Sequence, residues 1–249
     1  SKKFDLNHYA LKRKISSLKS KIKIVAISSW LAKQAKKSIL FGKLDIRVIP
    51  CCLDFNIWLP KKKLESRQNL NFNLDKKIIL FVSSGNTNDK KKGFDFLLKA
   101  LNKIDNIENC HLVVLGKISI YHKRNLKISF TEYNKFYNGD PKYLTEIYSA
   151  SDLLVVPSLV EAFGQVALEA ASCNLPTVAF NDTGLSEIIS HKKNGYLADY
   201  KDVLDLKKGI NWCLNHKNYN LISNQARSLA KSKFSYDCVY EQYLNLYDE

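Results

Sequence analysis

Asp152-Leu153-Leu154-Val155-Val156-Pro157-Ser158-Leu159-Val160-Glu161-Ala162-Phe163-Gly164-Gln165-Val166-Ala167-Leu168-Glu169-Ala170 reads as a strand, a loop and the opening of a helix. Leu153 to Val156 are apolar at successive positions, as a strand covered on both faces requires. Pro157 ends the run, and from Gly164 to Cys173 the apolar positions recur at helical period. Working outward, strand-length apolar runs occur at Ile22–Ile27, Ile46–Ile49, Lys77–Val82, His111–Leu115, Lys127–Thr131 and Thr177–Phe180. Helical patterns lie among them at Leu31–Leu40, Phe94–Ile104 and Tyr143–Ser149, and from about Asp202 onward the chain reads as helices. Such alternation predicts an α/β fold, a doubly wound parallel sheet.

Ligands of open α/β sheets bind beyond the carboxyl ends of the strands. A helix that begins there presents free N–H groups and the positive end of its dipole, which suit a diphosphate. Gly164 has no side chain to hold an anion away from those amides. Glu161 falls in the loop and Glu169 about one and a half turns into the helix, so the two carboxylates flank the phosphate position on opposite sides. Carboxylates bind sugar hydroxyls, so one suits a transferred sugar and the other a ribose. Two glutamates at this separation are commonplace by themselves; it is the strand–loop–helix around them that gives them meaning.

The rest of the composition bounds the possibilities. The 249 residues, 45% hydrophobic and 25% charged, are those of a globular protein able to bury a core. No apolar run reaches the length of a membrane-spanning helix, and no signal-peptide pattern opens the chain. Net charge is +15, and it is concentrated: residues 1–63 hold 16 Lys/Arg against 3 Asp/Glu, whereas the rest hold 23 against 21. A solvated lysine-rich surface explains this, and so does contact with an anionic membrane. The aromatic and basic spacing of an RNA-recognition module is missing, so nucleic acid is not the expected partner. Cys51, Cys52, Cys110, Cys173, Cys213 and Cys238 form no C-x-x-C pair and read as reduced thiols of a cytoplasmic protein.

Pro60–Leu74 breaks the periodicity and marks a boundary. The two strands and one helix before it are too few for a domain. With no methionine anywhere, position 1 included, they are expected to be the tail of a domain lying mostly outside this sequence. Leu11, Ile15, Leu18 and Ile22 repeat at helical spacing among Lys12, Arg13, Lys14, Lys19 and Lys21, which suits a docked or membrane-surface helix.

The stretch Glu161–Glu169 resembles the E-x7-E signature of the family 4 retaining glycosyltransferases, whose GT-B fold sets two Rossmann-like domains face to face. The resemblance extends over nearly the whole sequence. Ser28-Ser29-Trp30-Leu31-Ala32 through Val48-Ile49-Pro50 and Asp54 is similar to the end of the family's N-terminal acceptor domain, and Lys92-Gly93-Phe94-Asp95 to its basic K-G step. Tyr148-Ser149-Ala150-Ser151-Asp152, Pro176-Thr177-Val178-Ala179, Gly184-Leu185-Ser186-Glu187-Ile188-Ile189 and Asn194-Gly195-Tyr196-Leu197 follow in the family's order. Phe234 to Tyr247 resembles the helix that crosses back to the first domain. The flavour is that of enzymes building capsule, exopolysaccharide or lipopolysaccharide.

The resemblance implies residues 1–60 as the acceptor-domain tail, 61–233 as a nucleotide-sugar-binding donor domain and 234–249 as the returning helix. It also implies roles. Glu161 contacts the donor sugar, Glu169 the ribose, the amides around Phe163, Gly164, Gln165 and Val166 the diphosphate, and Lys92 neutralises the departing phosphate. The donor is a UDP- or GDP-sugar, the acceptor a glycan or lipid-linked glycan. With no D-x-D in the sequence, neither a metal nor another cofactor is expected. Two departures stand out. Asn86, after Gly85, occupies the donor-binding position where the family usually carries arginine, leaving Lys90 and Lys91 to replace its charge without its fork. Asn174 stands where glycine is common. His191, in a His-Lys-Lys-Asn-Gly turn, reads as a surface residue rather than a catalytic one. A non-catalytic nucleotide-sugar-binding remnant and a GT-B-fold nucleotide-sugar epimerase are the alternatives.

Overall fold

A computed structural model describes residues 5–18, 22–133 and 140–249, with Ser84 described by its backbone alone. The main sheet is parallel throughout. It comprises β3 (Lys77–Asn86), β4 (Cys110–Lys117), β5 (Ser129–Tyr133), β6 (Leu153–Val156), β7 (Thr177–Phe180) and β8 (Gly195–Ala198) in the order β5-β4-β3-β6-β7-β8. Counted within the sheet this is the 3-2-1-4-5-6 order of a Rossmann-like domain, and the order reverses between β3 and β6. A separate parallel pair, β1 (Lys23–Ala26) and β2 (Asp45–Val48), precedes it.

Alternation along the strands feeds two cores. Ile78 and Leu80 of β3, Leu154 of β6 and Ala179 of β7 face α6 (Pro141–Ala150), α7 (Gln165–Ser172) and α9 (Tyr219–Phe234). Ile79, Phe81, Leu153, Val155 and Val178 face α4 (Phe94–Leu101) and α8 (Val203–Leu214) on the other side. Both faces are therefore covered, which is why the strands are apolar at successive positions.

The remaining helices are α1 (Leu6–Ser17), α2 (Ser29–Lys36), α3 (Lys63–Asn69), α5 (Ile120–Asn125) and α10 (Tyr236–Asp248). Their positions correct several sequence expectations. The stretch Pro60–Leu74 is not without structure. It contains α3, held by buried Arg67, which donates to Asp152 Oδ2 at 2.5 Å and to the Ala150 carbonyl at 2.9 Å. Both partners lie far along the chain, so no local pattern announces the helix. The helix at the N-terminus ends at Ser17, and Leu18 is already extended; Ile22 is outside it. There the Ser16 and Ser17 hydroxyls donate to backbone carbonyls at Arg13 and Lys14, competing with the ladder. Lys19 and Lys21 lie outside the described residues. No local pattern announces β8 or α5, α2 stops at Lys36 rather than Leu40, and β5 begins two residues later than Lys127.

Residues 53–58 are held to α9 through their main-chain groups. Leu53 N–H donates to the Phe234 carbonyl at 2.9 Å, and Arg227 donates to the carbonyls of Phe55 and Trp58 at 3.0 and 2.8 Å. The helix is interrupted at Ser235, and α10 runs to the first strand pair, where Glu249 meets Lys23 at 3.2 Å and Arg47 at 2.7 Å. All six cysteines are free thiols. Among the described residues no helix is long and apolar enough to cross a membrane.

Candidate functional site

The reversal of strand order opens a crevice between the carboxyl ends of β3 and β6, and two segments close over it. One is a 3-10 turn, Lys90–Lys92, capped by Asp89, whose side chain accepts from Lys91 N–H. Gly93 follows with φ 70, and a Cβ there would stand 1.9 Å from the Pro157 carbonyl oxygen, so only glycine lets the turn meet the end of β6. The second segment, Pro157–Gly164, is joined to the first by Leu159 N–H donating to the Lys91 carbonyl at 2.8 Å. These contacts bring Lys92 Nζ to 3.1 Å from Glu161 Oε2, across 69 residues of chain.

Backbone bonds fix the loop that carries Glu161. Gly184 N–H donates to the Glu161 carbonyl at 2.8 Å, and the Ser28 hydroxyl donates to the Ala162 carbonyl at 2.5 Å. Ser28 is the N-cap of α2, and the next residue, Ser29, donates its N–H to Glu187 Oε1 at 2.6 Å. The segment before Pro60 thus reaches directly onto the loop.

Gly164 ends the loop with φ 107, and a Cβ there would lie 2.4 Å from Leu185 Cδ2. The fold itself therefore demands this glycine, besides any clearance it gives an anion. No side chain caps α7. Ala167 and Leu168 N–H both donate to the Gly164 carbonyl, at 2.9 and 3.1 Å, which leaves the amides of Gln165 and Val166 at the open end of the helix. In front of them is a cavity of 190 Å³ whose lining includes Lys92, Ser158, Glu161, Gly164, Gln165 and Val166. It combines a cation, a carboxylate and a helix N-terminus at one topological switch point. The Lys92–Glu161 pair is partly buried, with side chains 33% and 21% accessible, so an entering ligand that separates it must supply each charge with a replacement partner.

The other expected site residues are placed differently. The Phe163 ring is buried in the core, 5.5 Å from Phe234, so only its main chain adjoins the loop. Gly85 and Asn86 lie exposed at the irregular end of β3, outside the cavity lining. The Asn86 side chain accepts from Asn88 N–H at 2.7 Å. Glu169 does not line the cavity either; it faces α6, where the buried Tyr148 hydroxyl donates to its Oε2 at 2.8 Å. Burial pushes the Glu169 carboxyl up to about 7, against the opposing hydrogen bonds from Tyr148 and Gln165. His191 is exposed in a turn, its Nδ1 accepting from Leu197 N–H at 3.2 Å.

Sequence reasoning missed Tyr148, Ser158 and Ser28 as contributors here. All three stand within quoted motifs, but nothing local states what each hydroxyl will face. It also missed a hydrogen-bonded chain beside the K-G turn. Asp95 Oδ1 lies 2.8 Å from His122 Nε2, and His122 Nδ1 lies 2.6 Å from Thr87 Oγ1. The order imitates an orienter, base and nucleophile. Thr87 is 2% exposed and also accepts from Ser119 N–H, so the chain is a brace tying the start of α4 to α5.

Residues 62–229 match the model of the family described as "Glycosyl transferases group 1". The chain belongs to that family. An uncharacterised glycosyltransferase of Methanocaldococcus jannaschii is 30% identical over 213 residues, 80% of this chain and 51% of that protein. An uncharacterised 41.2 kDa protein in the cps region of Klebsiella pneumoniae is 30% identical over 192 residues, 75% of this chain and 51% of that one. The Anabaena protein HepE, crystallised with UDP and glucose, superposes with a TM-score of 0.76 at 19% identity, over 98% of this chain and 68% of that one. That likeness establishes the GT-B Rossmann-like fold. The chain spans about half the length of these two curated relatives.

Proposed function

We propose that this chain is the donor-binding half of a retaining glycosyltransferase that moves a hexose from a nucleotide-diphosphate sugar to a bacterial surface glycan. The carrying observation is the switch-point cavity, where Lys92, Glu161 and the uncapped start of α7 converge. In this reading the amides of Gln165 and Val166 hold the diphosphate, and Lys92 leaves Glu161 to neutralise the charge that grows on the departing phosphate. Glu161, so released, accepts hydrogen bonds from sugar hydroxyls, and Glu169 accepts from the ribose. The bond from the sugar's anomeric carbon to the phosphate oxygen breaks as the bond to the acceptor oxygen forms on the same face. The acceptor's proton passes to the departing phosphate, so no protein base is assigned.

Residues 1–60 are then the tail of the acceptor domain, 61–233 the donor domain and 234–249 the returning helix. The capsule-region relative from Klebsiella pneumoniae supports a capsule or related glycan as product. The free thiols support a cytoplasmic reaction, and a lipid-linked acceptor would be met at the inner face of the membrane. Calorimetry of the chain with UDP and with GDP, chelator present, tests the reading; we expect binding of one of them. Binding that requires an added divalent cation would overturn the metal-free mechanism, and no binding of either would overturn the donor-site reading.

A further inference from the structure

We propose that Ser158 is a ligand-binding residue, its hydroxyl donating a hydrogen bond to a phosphate oxygen of the donor. The inference rests on the donor-site reading. Ser158 is 1% exposed, and its Oγ has no hydrogen-bond partner. Buried hydroxyls in folded proteins are almost always paired, and an unpaired one costs stability in the absence of its partner. The other unpaired buried side-chain atoms among the described residues, on Ser66, Asn174 and Thr177, lie outside the cavity lining. Ser158 is in it, one residue past Pro157 at the carboxyl end of β6.

The neighbouring groups identify what the hydroxyl awaits. Lys92 and the open amides of Gln165 and Val166 supply only donors, and Glu161, the one carboxylate among the described residues of the lining, is already engaged by Lys92. An anion that accepts from the amides and from Lys92 has further lone pairs for Ser158, whereas a neutral sugar hydroxyl would leave the cation and helix N-terminus unanswered. A phosphate oxygen satisfies all of them together. Pro157 precedes the serine, and the residue after it is held by the Leu159–Lys91 hydrogen bond.

The test compares Ser158→Ala and Ser158→Cys with the unaltered chain. Cysteine keeps the volume and removes the strong donor, which guards against an alanine variant that folds poorly. The ligands are whichever of UDP and GDP the unaltered chain binds, and the parent nucleoside measured by competition. We expect both variants to bind the diphosphate about tenfold more weakly or worse, with nucleoside affinity unchanged. The unfolding temperature of the ligand-free Ser158→Ala protein should be unchanged or raised, because an unpaired hydroxyl has gone. Unchanged diphosphate affinity, or an equal loss for nucleoside and diphosphate, would overturn the assignment. A failure of the unaltered chain to bind either diphosphate would strike the donor-site reading itself, and with it this one.

Discussion

Glu161 and Glu169 carry the same group on neighbouring turns of chain, yet their surroundings assign them different behaviour. Glu161 is ion-paired with Lys92 in an open cavity, whereas Glu169 is turned against Tyr148 and desolvated. Replacing Glu161 with Ala in the complete enzyme should lower kcat by about 10²-fold while nucleoside diphosphate affinity holds or rises, since Lys92 is set free. Equal losses of affinity in Glu161→Ala and Glu169→Ala would show that the two carboxylates do not have opposed roles. Glu169 adds a pH dependence. Its carboxyl is raised from 4.5 to about 7 in the fold, so its contribution to stability is fully present below about pH 4.5 and is lost as pH rises through 7. Glu169→Gln should therefore gain on the order of 1–3 kcal/mol over the native residue at pH 8 and nothing at pH 4, as measured by denaturant unfolding. On the proposed reading that the Glu169 carboxylate accepts from the ribose, nucleotide affinity should climb as pH rises through 7 and lose that climb in Glu169→Gln. Asn174 answers its own departure from glycine: its φ is 61, a left-handed conformation at the end of α7 that asparagine adopts more readily than most residues.

Among the elements, α3 shows how a helix without a local signature is fixed. Arg67 and Asp152 are both buried, and Asp152 also receives Lys63 Nζ at 3.0 Å and Ile78 N–H at 2.6 Å. One carboxylate thus joins α3, the start of β3 and the start of β6, at the end of the sheet opposite the cavity. Arg67→Ala leaves that carboxylate buried with fewer partners, and breaking such a pair costs about 3–5 kcal/mol. Because Lys63 and the Ile78 amide remain, chemical denaturation should show a loss near the lower end, about 3 kcal/mol. Nucleotide affinity of the folded fraction should be unaltered, since the site is at the other end of the strands; a parallel loss of affinity would mean that the α3 tether also sets the crevice. The helical period of α4 and α7 was legible from their apolar spacing, as was the apolar run of β6. The four-residue β8 was not, because its pairing with β7 is decided by a partner strand rather than by its own pattern.

For the whole molecule the open question is what the basic end meets. Lys33, Lys36, Lys37 and Lys43 are exposed on and after α2, with Ile39 among them 76% exposed, and α1 buries none of its residues while exposing Leu6 and Tyr9. Basic side chains with apolar ones between them suit an anionic lipid surface, each lysine contributing on the order of 1 kcal/mol. The complete protein should co-sediment with acidic vesicles at low salt, and be released as the Debye length falls toward about 3 Å in 1 M salt. It should ignore neutral vesicles. Equal partitioning to both would remove the membrane contact and leave the donor site untouched.

What the sequence determined by itself is whatever depends on near neighbours along the chain. The successive apolar residues of β6, the glycine at 164, the helical period after it and the spacing of Glu161 and Glu169 are all sequential facts, and they predict a parallel α/β sheet with a helix that begins beyond the end of a central strand. The tertiary structure decided what requires distant segments to meet. The order of the strands, the seating of Gly93 against Pro157, the pairing of Lys92 with Glu161, the turn of Glu169 toward Tyr148 and the stranding of Ser158 without a partner belong to this second kind. Periodicity specifies which face of an element is buried, but a side chain's partner and its desolvation are set by atoms tens of residues away, and those exist only once the sheet has closed its crevice.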